Sequence, residues 1–121
     1  MPTVEQHVER AKRNQKFAEH FDLDKTDFRD WVVTGYFYSA LHWIDAYLVR
    51  EGKKLDPGHA FRNTQTNNDS NLTPISRIYR FLYSYSRNVR YDLIEFTPQQ
   101  IREEIIPKAK AIRNHLEKLL P

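Results

Sequence analysis

The sequence predicts an all-α domain, and three observations carry that reading. Only three of the 121 residues are glycine, too few for a turn-rich β architecture. Apolar residues recur at helical spacing in four separate stretches. Helix-terminating residues bound those stretches: Thr3, Gly52, Thr73-Pro74 and Thr97-Pro98. A chain of this length suits one domain with a real core. The economical arrangement is a single antiparallel four-helix bundle over residues 1–121, with room for a short fifth helix in the 52–73 connection.

The first helix opens at Thr3, whose hydroxyl caps while Gln6 reaches back. Val4, Val8, Ala11, Gln15 and Ala18 follow on one stripe, and the opposite side is charged. The second runs from about Asp27 to Glu51 and stops at Gly52. It is apolar on almost every face, as expected of a helix at the centre of a bundle. Gly35, Ser39, His42 and Ala46 form a line of small residues on it, where a neighbour can approach closely.

The connection from Gly52 to Thr73 contains NTQTNNDSN at residues 63–71, which has no apolar residue and reads as loop. A short helical turn over His59 to Arg62 is the only regular structure expected there. The third long helix opens at Thr73 and Pro74 and buries Ile75, Tyr79, Leu82, Ser86, Val89 and Leu93. The last opens at Thr97, Pro98 and Gln100 and buries Ile101, Ile105, Ala109, Ile112, Leu116 and Leu119. Pro107 lies inside it and removes one backbone hydrogen bond, so a kink or break is expected there.

Composition excludes several function classes. With no cysteine there is no disulfide framework, thiolate metal site or cysteine nucleophile. Neither GxGxxG nor GxxxxGK[ST] occurs. No apolar run approaches the roughly 20 residues of a membrane span, and the N-terminus lacks a signal-peptide core, so a cytoplasmic protein without a membrane partner is expected. None of His7, His20, His42, His59 and His115 has HxxxH or HExxH spacing, so neither a metal site nor a cofactor is expected.

The formal net charge of +3 is unevenly placed. Residues 53–90 hold seven basic side chains against two acidic ones. Within that segment Arg77, Arg80, Ser84, Arg87 and Tyr91 fall on one side of a helix. Phe81, Tyr83 and Tyr85 flank the stripe. Guanidinium groups beside aromatic rings suit single-stranded nucleic acid through phosphate pairing and base stacking. The plainer reading is a solvated basic face, or one that pairs with the acidic side of the first helix. Asp45, inside the apolar helix, is either partly exposed near its end or the partner of a core Arg or Tyr.

The stretch from Trp31 to Val49, then GHAFRN with His59 and Arg62, then SRNVRYDLIEFTPQQI at 86–101, resembles the HEPN superfamily (higher-eukaryote and prokaryote nucleotide-binding domains). The resemblance covers nearly the whole chain in order. It implies a small helical domain, a homodimer, RNA or a nucleotide as ligand, and a cognate protein partner in a toxin–antitoxin or defence setting. Many HEPN domains are metal-independent endoribonucleases, with an Arg and, four to six positions on, a His. Arg87-Asn88 matches the first half, but positions 91, 92 and 93 are Tyr, Asp and Leu. A tyrosine in that place is a poor general base, because a phenol ordinarily keeps its proton near neutrality. The expected site is therefore Arg87, Asn88, Arg90 and Tyr91, with Arg80 on the same helix and His59 and Arg62 closing it. Binding without assigned catalysis is the first expectation. A ribonuclease using Arg87 with His59 is the second, and a scaffold or antitoxin-like interaction module the third.

Overall fold

The structure is a computed structural model that describes residues 1–56 and 58–120. It is all-helical among those residues. Helix α1 (Val4–Glu19) starts at the expected capping box, with Thr3 Oγ1 accepting from the Gln6 amide at 3.1 Å and Gln6 Oε1 accepting from the Thr3 amide at 2.9 Å. Helix α2 (Arg29–Arg50) buries 15 of its 22 residues. It touches α1 along most of its length and also packs on the two later long helices, which makes it the centre of the fold. Gly52 closes it in the left-handed region at φ +77°, where a side chain would be strained.

The α1–α2 contact is the close approach expected along the small-residue line. Ser39 Oγ donates to the Ala11 carbonyl at 2.8 Å. An added Cβ on Gly35 would lie 3.2 Å from Phe17 and 3.3 Å from Ala18. Because Gly35 meets Ala18 while Ser39 meets Ala11, the two helices run antiparallel.

The 52–73 connection departs from expectation. Instead of a loop, residues 59–68 form a ten-residue helix, α3 (His59–Asn68), which covers most of the polar tract. Intrinsic propensity and apolar period both argue against helix here. Tertiary anchors override them: Arg62 and Thr66 are buried one turn apart, and Phe61 packs against the core.

Helix α4 (Thr73–Tyr91) begins at Thr73 itself, with buried Leu72 in the cap position. It buries Ile75, Tyr79, Leu82, Ser86 and Val89 as expected. Leu93 does not join them. It lies beyond the helix end at φ 55° and is 81% exposed. The final helical run comprises α5 (Pro98–Gln100), a π-helical turn (Ile101–Ile105) and α6 (Ile106–Leu119). The π turn is the break expected of Pro107. The Ile106 amide reaches back to the Ile101 carbonyl, five residues away, so the ladder is already rewound where proline has no N–H. Ile101, Ile105, Ala109, Ile112 and Leu116 remain buried across it, and Leu119 is half-buried.

The core joins Val32, Phe37, Ile44 and Leu48 of α2 to Tyr79 and Leu82 of α4 and Ile112 and Leu116 of α6. Each such large side chain contributes about 1.5–3 kcal/mol through burial. No helix among the described residues is long and apolar enough to cross a membrane.

Candidate functional site

The outward side of α4 carries the expected basic stripe. Arg77, Arg80, Ser84, Arg87 and Tyr91 are all exposed. None of Arg77, Arg80, Arg87 and Arg90 lies in a salt bridge with an acidic side chain among the described residues. Aromatic rings hold them instead. The Arg87 guanidinium sits 5.8 Å from the Tyr83 ring centre and 5.3 Å from that of Tyr91, with one long hydrogen bond to the Tyr83 hydroxyl at 3.5 Å. Arg77 lies 5.6 Å over Phe81, and Arg80 donates to Asn67 Oδ1 at 3.1 Å.

Arg90 is different in kind. Its fork is spent on the protein: Nε donates to the Ser86 carbonyl at 3.1 Å, and the two terminal nitrogens reach Ser86 Oγ at 3.2 Å and the Tyr38 hydroxyl at 3.0 Å. It stands 5.1 Å from the Tyr91 ring, which Arg87 also borders. Asn88 is turned along its own helix, and with its amide oxygen and nitrogen exchanged to suit its neighbours the nitrogen donates to Asp92 Oδ2 at 3.1 Å and to the Ser84 carbonyl at 3.3 Å.

His59 joins this face. Its ring centre lies 4.7 Å from Tyr83, the same ring that Arg87 borders. Burial lowers its pKa, and the charges of Arg62, Arg90 and Arg87 lower it further against a smaller pull from Asp45. His59 and the Arg87 guanidinium thus border the same Tyr83 ring, and the imidazole Nδ1 is buried and without a partner among the described residues.

Arg62 does not join it. It is 8% exposed and grips Asp45 with Nε to Oδ1 and a terminal nitrogen to Oδ2, both at 2.8 Å. Its other terminal nitrogen reaches the carbonyls of Asp56 at 3.4 Å and Gly58 at 3.3 Å. Burial works against the charged guanidinium, and the hydrogen bonds and charge of Asp45 more than offset it. Asp45 is therefore the partner of a core arginine, and Arg62 ties α3 to α2.

A second constellation escaped the sequence reading. His7 of α1 and His42 of α2 face each other, Nδ1 to Nδ1 at 3.1 Å, with ring centres 5.3 Å apart. Together with Asp45 they place three ligand-type atoms within 4.8 Å of one another. Burial lowers the pKa of His7 and takes that of His42 to about 4; Asp45 opposes both shifts, while Arg62, and for His42 also His7 and Arg10, add to them. Spacing within one helix cannot find a pair made between two. The usable signal was register: once Ser39 meets Ala11, one further turn along each antiparallel helix sets His42 opposite His7.

Comparison with family models, with curated proteins and with solved structures finds no match to the chain.

Proposed function

We propose that the chain is a HEPN-like domain whose long helices form an antiparallel four-helix bundle, and whose α4 face binds the phosphates of RNA or a nucleotide. In this reading it acts as a homodimer beside a cognate protein in a toxin–antitoxin or defence setting, with no catalysis assigned. Support for the bundle comes from pairings along α2: Tyr38 meets Arg90 while Tyr47 meets Asn71, so α4 runs against α2 as α1 does. Arg50 donates to the Leu119 carbonyl and Arg113 lies over Trp43, so α6 runs with it.

One observation carries the ligand. Arg87 is exposed between two tyrosine rings with most of its five donors unspent and no carboxylate beside it. A phosphate satisfies the guanidinium, and a base stacks on Tyr91, which is 64% exposed. Arg80 extends the same potential two turns towards α3, where it meets Asn67. Arg90, already engaged within the protein, packs on the Tyr91 ring, and Asn88 is turned along its own helix. Arg87→Ala is expected to weaken binding of single-stranded RNA at low salt, and unchanged binding ends this reading.

The contact of His59 with Tyr83 favours a second reading, a metal-independent endoribonuclease: His59 accepts the 2′-hydroxyl proton as that oxygen bonds to phosphorus, Arg87 holds the phosphate, and the 5′-oxygen departs with a proton from water. It predicts RNA cleavage in the presence of chelator that His59→Ala removes; persistence of cleavage excludes it. Exposed Phe28, Trp31, Leu93 and Ile94 favour the interaction-module reading, for which a discrete complex without salt-sensitive RNA binding is the signature.

A further inference from the structure

We propose that His7, His42 and Asp45 form a binding site for a divalent transition-metal ion of the zinc class, independent of the α4 face. The geometry begins with the two imidazoles. Their Nδ1 atoms are 3.1 Å apart. Two imidazole nitrogens on one tetrahedral zinc stand about 3.3 Å apart, given metal–nitrogen bonds of about 2.0–2.1 Å. The rings thus already hold nearly the separation that an ion would impose, from two different helices whose register Ser39 and Gly35 fix.

The third donor is a carboxylate in place. Asp45, three residues after His42, is 1% exposed and brings one carboxylate oxygen within 4.8 Å of one nitrogen of each imidazole. Ligation requires the carboxylate to move towards the imidazoles while keeping one of its two hydrogen bonds from Arg62. Its two hydrogen bonds from Arg62 leave further lone pairs free, because a carboxylate offers about four acceptor sites. Arg62 then serves as the outer partner that orients a ligating carboxylate.

The imidazoles have no competing role in the fold's hydrogen bonding. Their mutual contact is the only hydrogen bond either ring makes among the described residues, and His7 Nε2 is buried without a partner. Both rings also line a cavity of about 530 Å³, together with Pro2, Gln6, Arg10 and Arg13. That cavity gives the ion an entry path and leaves its fourth position open. The wall carries charges of both signs, Arg10 and Arg13 beside Glu9.

Two nitrogens and one oxygen suit zinc, cobalt, nickel or copper, whereas magnesium and calcium require more oxygen ligands. The test uses the untagged full chain stripped with chelator, titrated with Zn²⁺ by calorimetry and with Co²⁺ by visible absorption. One ion per chain is expected, with the intense absorption of tetrahedral cobalt, no competition from excess Mg²⁺, and a higher unfolding temperature in excess Zn²⁺. His42→Ala is expected to weaken Zn²⁺ binding about 100-fold or more, and Asp45→Asn about 10-fold or more. His20→Ala, on an exposed residue, is expected to change nothing.

Failure of the unsubstituted chain to bind Zn²⁺ or to gain thermal stability from it overturns the proposal, whatever the variants do. Undiminished binding by folded His42→Ala, or loss of the ion in His20→Ala, overturns it equally.

Discussion

The carboxylate of Asp45 and the guanidinium of Arg62, seventeen positions apart, meet through two parallel hydrogen bonds of 2.8 Å inside the fold. With side chains 2% and 9% exposed, both charges are removed from water and balanced only by each other and by loop carbonyls. This pair fastens α3, whose own sequence has little reason to be helical, onto the central helix.

Removing one partner strands the other charge. Arg62→Ala or Asp45→Ala is expected to destabilise the fold by about 3–5 kcal/mol in urea denaturation, and α3 is expected to lose amide-exchange protection first. A double replacement, Asp45→Leu with Arg62→Met, is expected to recover much of that loss. A single substitution that costs under 1 kcal/mol contradicts the role given to the pair.

Acid acts on the His7–His42 contact. In the unfolded chain His42 takes up its proton near 6.5; in the folded chain it does so only near 4, because burial and the nearby His7, Arg10 and Arg62 outweigh Asp45. Above about 6.5 the imidazole is neutral in both states. Between 6.5 and 4 the unfolded chain binds a proton that the folded chain does not, so stability falls as pH falls, and levels off for this group below 4. His7 shifts in the same direction. Unfolding midpoints measured with chelator across this range are expected to fall less steeply in His42→Gln.

Gly35 sets the distance between α1 and α2. A side chain there meets Phe17 and Ala18 at 3.2 and 3.3 Å from its first carbon alone. Gly35→Leu is expected to destabilise by about 2 kcal/mol through overpacking, read as a lower denaturation midpoint. It is also expected to shift the His42 resonance, since the same contact carries the His7 pair two turns further on.

Tyr79 offers the opposite sign. Its ring is fully buried in the core, its hydroxyl has no partner among the described residues, and burial raises its pKa. Tyr79→Phe removes an unsatisfied polar group and is expected to leave stability unchanged or raise it by up to about 1 kcal/mol. A loss above that magnitude would show that the hydroxyl is satisfied in solution.

Salt separates contact from positioning on α4. If Arg87 pairs with a phosphate, Arg87→Ala is expected to lower the slope of log affinity against log salt by about one. Arg90→Ala is expected to weaken binding mainly by releasing Tyr38 and Tyr91, with a smaller change in slope.

Much of this was legible along the chain. Caps at Thr3, Gly52 and Thr97, the apolar stripes of α2, α4 and the last helix, and the exposed arginine face of α4 follow from local rules, because capping and period act over a single turn. The sequence alone also placed the break ahead of Pro107. What it did not determine was any arrangement that needs two helices at once. Helix α3 forms where the period is absent because Arg62 and Thr66 find burial against another segment. Asp45 is buried rather than exposed because Arg62 reaches it, and His7 meets His42 because Gly35 and Ser39 allow a close antiparallel register. The reason is one of range: periodicity reports which face of a helix is apolar, while the partner of a buried charge or imidazole is chosen by how the helices stack, which no single turn encodes.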